Sequence, residues 1–456
     1  HNNVSYTTLL QYKKGDGHRF NAQYEQNNIY VKMDNKEKDF SISLMANRSL
    51  NGQPGFSVED RPSLISYRLS DRDSVYLQLF KKQNLGNNNN LVYSASINHF
   101  YTYYQDRNDT PEDEGQDDTF YNDTSLNIRA EYQKLFNDKS YLIVGSDLIA
   151  EQSDISIYKD VYSNPMQFTA GVFAQNRIVL SETLLLGVGL RIDYRSIDRG
   201  EIYSNKTFSN VSPKVNLSYK QDIYSTWNFA LSKGFRSPSL SEMFLQYATD
   251  YGLYTQGNPD LVPEQLYGLD IGYDLSNLSD LSFSASTFYY VYEDMIDFVY
   301  GLPVVARNRS DISSCGLETN INYKLNENFS VNAGYTYLRV NDLNDIDPIL
   351  YRPKHKLVSS IKHTKGKVSN IISMRYQSEQ DYQDFLSDDR EYEGSEIRFP
   401  IKKLDALMLF NYIGSYQLLD SKISFKVSNI FNVDYQLIQD YPMPGRVISL
   451  GYEKSF

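Results

Sequence analysis

The chain is nearly free of cysteine. Cys315 is the only one among 456 residues, so no disulfide can form within the chain, and it reads as a small strand side chain. Long hydrophobic runs are missing as well. The longest clearly apolar stretch, Leu184 to Leu190, is interrupted by Gly187 and Gly189. A helix that crosses a bilayer needs about 20 apolar residues, so no such helix is expected. Histidine is scarce. His1, His18, His99, His355 and His363 are too scattered for metal-ligand spacing. There is no glycine-rich phosphate loop and no Ser/His/Asp order of a hydrolase, so catalysis is not expected. Positive charge is in deficit. A formal net charge of −12 argues against a nucleic-acid partner. The sequence opens on His1 rather than Met, as it would after loss of a signal peptide or in an incomplete chain.

What the chain has instead is aromatic residues and alternation. It carries 40 Tyr and 23 Phe. Leu184, Leu186, Val188, Leu190, Ile192 and Tyr194 share one parity; Leu185, Gly187, Gly189, Arg191 and Asp193 share the other. Val211, Val215, Leu217 and Tyr219 alternate with Ser212, Lys214, Asn216 and Ser218. Phe329, Val331, Ala333, Tyr335 and Tyr337 repeat the pattern. Period-2 alternation marks strands with one apolar and one polar face. A soluble sandwich would alternate too, but its strands average about 5–6 residues. These runs reach about 10, the length of a tilted membrane-spanning strand. Tyr-rich strand ends such as Tyr101, Tyr103 and Tyr104 suit an interfacial aromatic girdle.

Connections alternate in length. Short turns are expected near Phe136–Lys139, Ser181–Glu182, Gln221–Tyr224, Ser276–Ser279, Leu325–Glu327, His363–Gly366 and Leu418–Ser421. Long polar loops fall near 105–122, 154–164, 198–210, 236–264, 300–312, 341–352, 378–399 and 433–443. The fold class is therefore all-β: a transmembrane antiparallel β-barrel of about 22 strands over residues 1–456, with short periplasmic turns and long extracellular loops. Arg191, Asp193, Lys214 and Arg236 fall on the polar parity and should face a charge-balanced, water-filled lumen. The first hundred residues fit less well. Asp71–Asp73 reads as a short turn, and Ser49–Pro62 and Lys82–Asn90 read as long loops. With 91–104 as one strand, that assignment breaks the in–out parity.

The most informative stretch runs from Trp227 to Glu264. It opens as a strand, breaks at Arg236-Ser237-Pro238, and closes on Gly257-Asn258-Pro259 and Pro263-Glu264. Proline cannot donate to a sheet ladder, so this is a long connection between strands. GFRSPSLSEMF followed by GNPDLVPE resembles the signature of TonB-dependent outer-membrane receptors. The chain end is similar to that family's last hairpin at Asn429, Phe431, Tyr435, Pro444-Gly445-Arg446 and the terminal Phe456. The resemblance implies a barrel in outer-membrane lipid, a plug domain within it, and coupling to the TonB system through the plug. In such receptors Arg191, Asp193, Lys214 and Arg236 would touch the plug. Alternation starts by about Ser5, so the plug and the TonB-binding segment are expected to be missing from this sequence. The segments Ile349–Lys356 and Tyr292–Asp297 resemble vitamin B12 (cobalamin) receptors slightly more than iron–siderophore receptors.

The function this implies is uptake of a scarce, large nutrient. The other reading is a plugless pore or the membrane part of a larger assembly, with loops gripping a partner such as a surface-exposed lipoprotein. Candidate ligand contacts are Tyr247, Tyr251 and Tyr254 in one aromatic loop and Arg307 and Arg309 in another. No cofactor is required. The acidic stretch with Asp106, Asp109, Asp113, Asp117 and Asp118 has the hard oxygen ligands that suit Ca²⁺, although a solvated acidic loop has the same composition.

Overall fold

A computed structural model describes residues 3–54, 68–105, 118–137, 139–155, 165–198, 205–248, 254–278, 280–299, 304–309, 311–342, 349–384, 387–389, 391–393 and 396–455. The first eleven strands are β1 Val4–Gly15, β2 Tyr24–Asn35, β3 Phe40–Gly52, β4 Leu69–Gly86, β5 Asn89–Gln105, β6 Thr119–Phe136, β7 Ser140–Ile155, β8 Met166–Val179, β9 Leu184–Ile197, β10 Lys206–Lys220 and β11 Ser225–Arg236. A five-residue helix, α1 Leu240–Phe244, follows, then β12 Gln246–Ala248, β13 Tyr254–Gln256, β14 Glu264–Leu278, β15 Leu281–Glu293, β16 Met295–Val299 and β17 Val304–Arg309. The remainder are β18 Ile312–Lys324, β19 Phe329–Asp342, β20 His355–Lys365, β21 Val368–Gln377, β22 Gln380–Gln383, β23 Glu391–Glu393, β24 Glu396–Arg398, β25 Ile401–Leu404, β26 Leu407–Gln417, β27 Ser421–Ser428 and β28 Val447–Lys454. Among the described residues the wall is an antiparallel meander of 20 strands, the large barrel wall expected from the sequence. Short strands β12, β13, β16 and β17 form a separate four-stranded sheet, and β22–β25 and β23–β24 make two further pairs.

Alternation gives this wall its two faces. On β9, Leu190, Ile192 and Tyr194 point outward and exposed, while Asp193 is 4% exposed on the lumen side. Val172, Val215, Leu231, Ile372 and Leu450 continue the outward apolar band. Such a surface would be insoluble in water and is what a bilayer demands of a barrel. No described helix is long and apolar enough to cross a membrane.

The short turns lie where expected, and side chains make them. Asp222 Oδ1 accepts from the backbone N–H of Tyr224 (2.7 Å) and Ser225 (2.8 Å), and Asn326 Oδ1 does the same for Asn328 and Phe329. Just above the first of these, Trp227 packs on Tyr273 with centroids 4.8 Å apart, an outward aromatic pair at the short-turn end.

The first hundred residues require two corrections. Asp71–Asp73 is not a turn. It lies inside β4, where Arg48 Nη2 donates to Asp71 at 3.2 Å and opposes Asp73 in the register. Lys82–Asn90 is not a long loop either. Asn87 and Asn88 both have positive φ (50° and 61°), which is the two-residue hairpin that matches strand twist. With these changes β4 and β5 are single strands of 18 and 17 residues, and the in–out parity is restored. Residues 55–67, covering most of the proposed 49–62 loop, lie outside the described set.

The ends of the meander meet at the long-loop rim. His18 Nε2 lies 2.9 Å from Pro442 O, and the Arg19 guanidinium sits over the Tyr441 ring at 5.3 Å. The connection after β1 thus touches the connection before β28, which brings the wall round on itself.

Candidate functional site: the mouth and the inner wall

The long connection after β11 folds into the mouth. Pro238 is fully buried and ends the strand. Ser239 then caps α1 reciprocally: its Oγ accepts from Glu242 N (3.1 Å) and its N–H donates to Glu242 Oε2 (2.7 Å). Leu240, Met243 and Phe244 point into a buried cluster with Ile155 of β7, Ile197 of β9, Leu261, Ile296 and Ala306. This is the hydrophobic core of the described residues, and it lies at the mouth rather than in the wall.

Arg236, the last residue of β11, organises the polar side of that lid. Its Nε and Nη2 donate to Glu264 (2.8 and 3.1 Å), the opposing residue of β14. Its Nη1 donates to both oxygens of Glu242 at 2.9 Å. Glu264 also accepts from Ile296 N at 2.9 Å, which ties in the β16–β17 hairpin. Burial alone would raise the Glu242 pKa, but the Arg236 guanidinium and the Ser239 N–H outweigh it and hold the carboxyl below its ordinary value. Asn308 Nδ2 donates to Val262 O and Asp294 O, and Lys206 Nζ donates to Pro259 O and Leu261 O.

Gly257 is required by space. A Cβ there would lie 2.7 Å from the backbone of Met243 and Phe244. Asn258 N donates to Glu242 O at 2.9 Å beside it. The two halves of the signature, GFRSPSLSEMF and GNPDLVPE, are therefore one clasp. They hold each other and a second hairpin across the top of the lumen.

Below the mouth the inner wall is ionic. Arg129 of β6 donates to Glu131 (2.6 Å) and Asp147 (3.2 Å). Arg191 of β9 donates to Asp193 (2.6 Å) and to Asp147, so Asp147 bridges two guanidinium groups. The ring centroid of Phe173 on β8 lies 4.5 Å from the Arg129 guanidinium carbon and 5.8 Å from that of Arg191, two cation–π contacts. A Cβ at Gly171 would lie 2.2 Å from Arg191 Nη2, and one at Gly145 2.5 Å from Phe173 Cζ. Glycine makes room for the cluster.

The candidate residues divide as follows. Arg191, Asp193 and Lys214 lie on the lumen parity, the first two in the ionic network. Tyr247 and Tyr254 lie on β12 and β13, which pair across the mouth, with Tyr254 opposite Ala248. Tyr251 lies outside the described residues. Arg307 is exposed on β17. Arg309, 11% exposed, donates to Asp297 (3.0 Å) and Asp342 (2.5 Å) and ties the hairpin to β19. Burial would lower its pKa, but the two carboxylates more than offset that and raise it. Of the acidic stretch only Asp118 is described, where it accepts from the Tyr103 hydroxyl. Asp106, Asp109, Asp113 and Asp117 lie outside the described residues. Arg129, Asp147 and Phe173 have no motif to mark them in the sequence, whereas Glu242 and Glu264 lie within the signature stretch without their clasping role being legible. The available signal was an aromatic residue on the lumen parity of β8, with glycines two residues away on its own strand and opposite it on β7.

A wide barrel with an apolar outside, a charged inside and a folded lid on one rim defines a class: an outer-membrane receptor or transporter. The TonB dependent receptor-like β-barrel family model matches residues 3–436, and the chain belongs to that family. It resides in the outer membrane. The solved copper transporter OprC superposes with a TM-score of 0.79 at 18% identity, covering 99% of this chain and 75% of that one. The siderophore receptor PirA from Acinetobacter baumannii gives 0.77 at 16% identity, covering all of this chain and 76% of that one. At these identities the likeness is one of fold. A stretch of 228 residues is 23% identical to an iron-regulated outer membrane virulence protein of Vibrio cholerae. That match covers 46% of this chain and spans about a third of the length of that relative (33%). Family and neighbours are receptors and transporters rather than enzymes.

Proposed function

We propose that this barrel is the wall and capture mouth of a TonB-dependent receptor that takes up a chelated transition metal, of the iron–siderophore type. The observation that carries the reading is the clasp around Arg236. It ties several segments into a lid at one rim of a lumen whose polar wall is too wide to be filled by its own side chains. A lid of this kind presents a shaped surface to a ligand arriving from outside. The aromatic segment at Tyr247–Tyr254 and the exposed Arg307 supply stacking and positive charge suited to an anionic, planar chelate. The iron, siderophore and copper named for the relatives support a metal complex over a corrinoid. A plug within the lumen and the TonB system complete the receptor.

The test is uptake of radiolabelled ferric chelates by cells that carry the full gene, with and without a functional TonB system, beside labelled cobalamin and copper. Energy-dependent accumulation of one ferric chelate supports the proposal. Cobalamin uptake alone, or uptake indifferent to TonB, overturns it.

A further inference from the structure

On the outward wall, the ladder between β10 and β11 stops short of the long-loop rim. The ladder between β10 and β11 ends at Lys214 opposite Ser232. Pro213 comes next on β10 and has no N–H to donate. Beyond it β10 goes on to Lys206 paired with β9, and β11 goes on to Arg236 paired with β14. On the lumen side, the Lys206 ammonium crosses to the lid carbonyls of Pro259 and Leu261. On the outward side a groove of about 500 Å³ remains. Val215, Leu231, Leu269 and Tyr289 make its apolar floor, and Pro213 and Lys233 flank it.

Lys233 is unusual for its position. It shares the outward parity of Leu231, three residues below the end of β11 at the long-loop rim. Its ammonium lies 5.4 Å from the Tyr267 ring centroid, and among the described residues it has no carboxylate partner within ion-pair distance. Glu293, one rung further out, is exposed and accepts from the Tyr267 hydroxyl at 3.3 Å. Arg48, another outward-facing cation, is by contrast paired with Asp71 and Asp73. An unpaired cation beside lipid is costly unless an anion meets it. Backbone groups freed where a ladder stops must also find partners at membrane depth.

We propose that this groove is a binding site for a phosphorylated, multiply acylated glycolipid of the outer leaflet. Its phosphate pairs with Lys233, an acyl chain lies on the Val215–Leu231–Leu269 floor, and its sugar hydroxyls and ester carbonyls meet the open edges of β10 and β11. A simple phospholipid offers the phosphate and chains but lacks the sugar hydroxyls.

The experiment is native mass spectrometry of the full receptor purified from outer membranes in mild detergent. The added probes are bis-phosphorylated lipid A, its dephosphorylated form and phosphatidylglycerol. The wild-type protein retains phosphorylated lipid A preferentially. Lys233→Gln lowers its occupancy about tenfold, the worth of one charge-assisted hydrogen bond, and Lys233→Arg keeps it. Strand content and heat-modifiable gel mobility, unchanged in both variants, show that they fold. Equal occupancy in Lys233→Gln, or equal retention of dephosphorylated lipid A or phosphatidylglycerol, overturns the proposal. Should Lys233→Gln fail to fold, the wild-type comparison among the three lipids decides alone.

Discussion

The mouth and the wall of this barrel are held together by different physics. In the wall, leucines and valines face outward, as Leu231 does at 58% exposure, and the strands are joined by backbone ladders. Its inward side chains are charged and paired, as in the Arg129–Asp147–Arg191 network. In the mouth the order is reversed. Phe244 is 2% exposed and Met243 fully buried, among residues drawn from β7, β9, the β11–β14 connection and the β16–β17 hairpin. The wall is a membrane protein whose apolar surface needs lipid. The mouth is a small water-soluble core mounted on it, and only the mouth should behave like a globular protein when mutated.

That contrast predicts the largest effect. Phe244→Ala should destabilise the lid by about 3–5 kcal/mol, the cost of a large cavity in a packed core. Limited proteolysis and hydrogen exchange should show residues 237–248 and 254–263 opening, while strand content is kept. Leu231→Ala removes a side chain of similar character from the outward face and should change neither. Loss of the whole barrel in Phe244→Ala would show that mouth and wall fold as one unit.

Gly257→Val should come next. Its Cβ would press on the Met243 and Phe244 backbone at 2.7 Å, and backbone cannot step aside as a side chain can. Overpacking of this kind costs about 1–3 kcal/mol, read as a lower melting temperature of the lid with the wall unmoved.

Arg236→Met leaves Glu242 and Glu264 without their shared cation. Arg236 is 44% exposed, so water screens the pairs, and the loss should be about 1–2 kcal/mol. The pH dependence has a definite sign. Glu242 titrates lower in the folded lid than in the unfolded chain, so its contribution is present above its ordinary value of 4.5 and fades as pH falls through the folded value. Proteolytic opening of the lid on acidification should therefore be marked in the wild type below about pH 4.5 and flatter in Arg236→Met. An unchanged pH profile would detach the clasp from this ion pair.

Much of this architecture could be read from the sequence, because its signals are local. Leu184–Tyr194 alternates within one strand, and Asp222 makes its turn with residues two and three places on. The signature stretch was also visible, though its role was not. Pro238, Gly257 and Glu264 serve packing and clasping, which no spacing encodes. Failures came where register decides. Asn87 and Asn88 sit in an Asn-rich run that looks like loop, yet their left-handed backbone closes a tight hairpin. Asp71 and Asp73 look like turn residues until Arg48 arrives from β3. Arg129, Asp147, Phe173 and Arg191 come from four strands and meet because of pairing alone. Arg309 reads as a free loop cation in sequence but is tied to Asp297 and Asp342 in the fold.

The smallest effect should come from the helix cap. Ser239→Ala removes the hydroxyl that accepts from Glu242 N, a change worth about 1 kcal/mol at an ordinary helix start. Here α1 is only five residues long and is held mainly by Leu240, Met243 and Phe244 in the core. Glu242 keeps its bonds to Arg236 and to the Ser239 backbone N–H in the variant. The lid should thus stay closed in Ser239→Ala, with a slightly faster hydrogen exchange confined to residues 240–244. Combined with Arg236→Met the loss should exceed the sum of the two, because each change removes what the other leaves holding Glu242 in place. Simple additivity would mean that the cap and the ion pair act independently, and that the apolar core alone sets the position of the helix over the lumen.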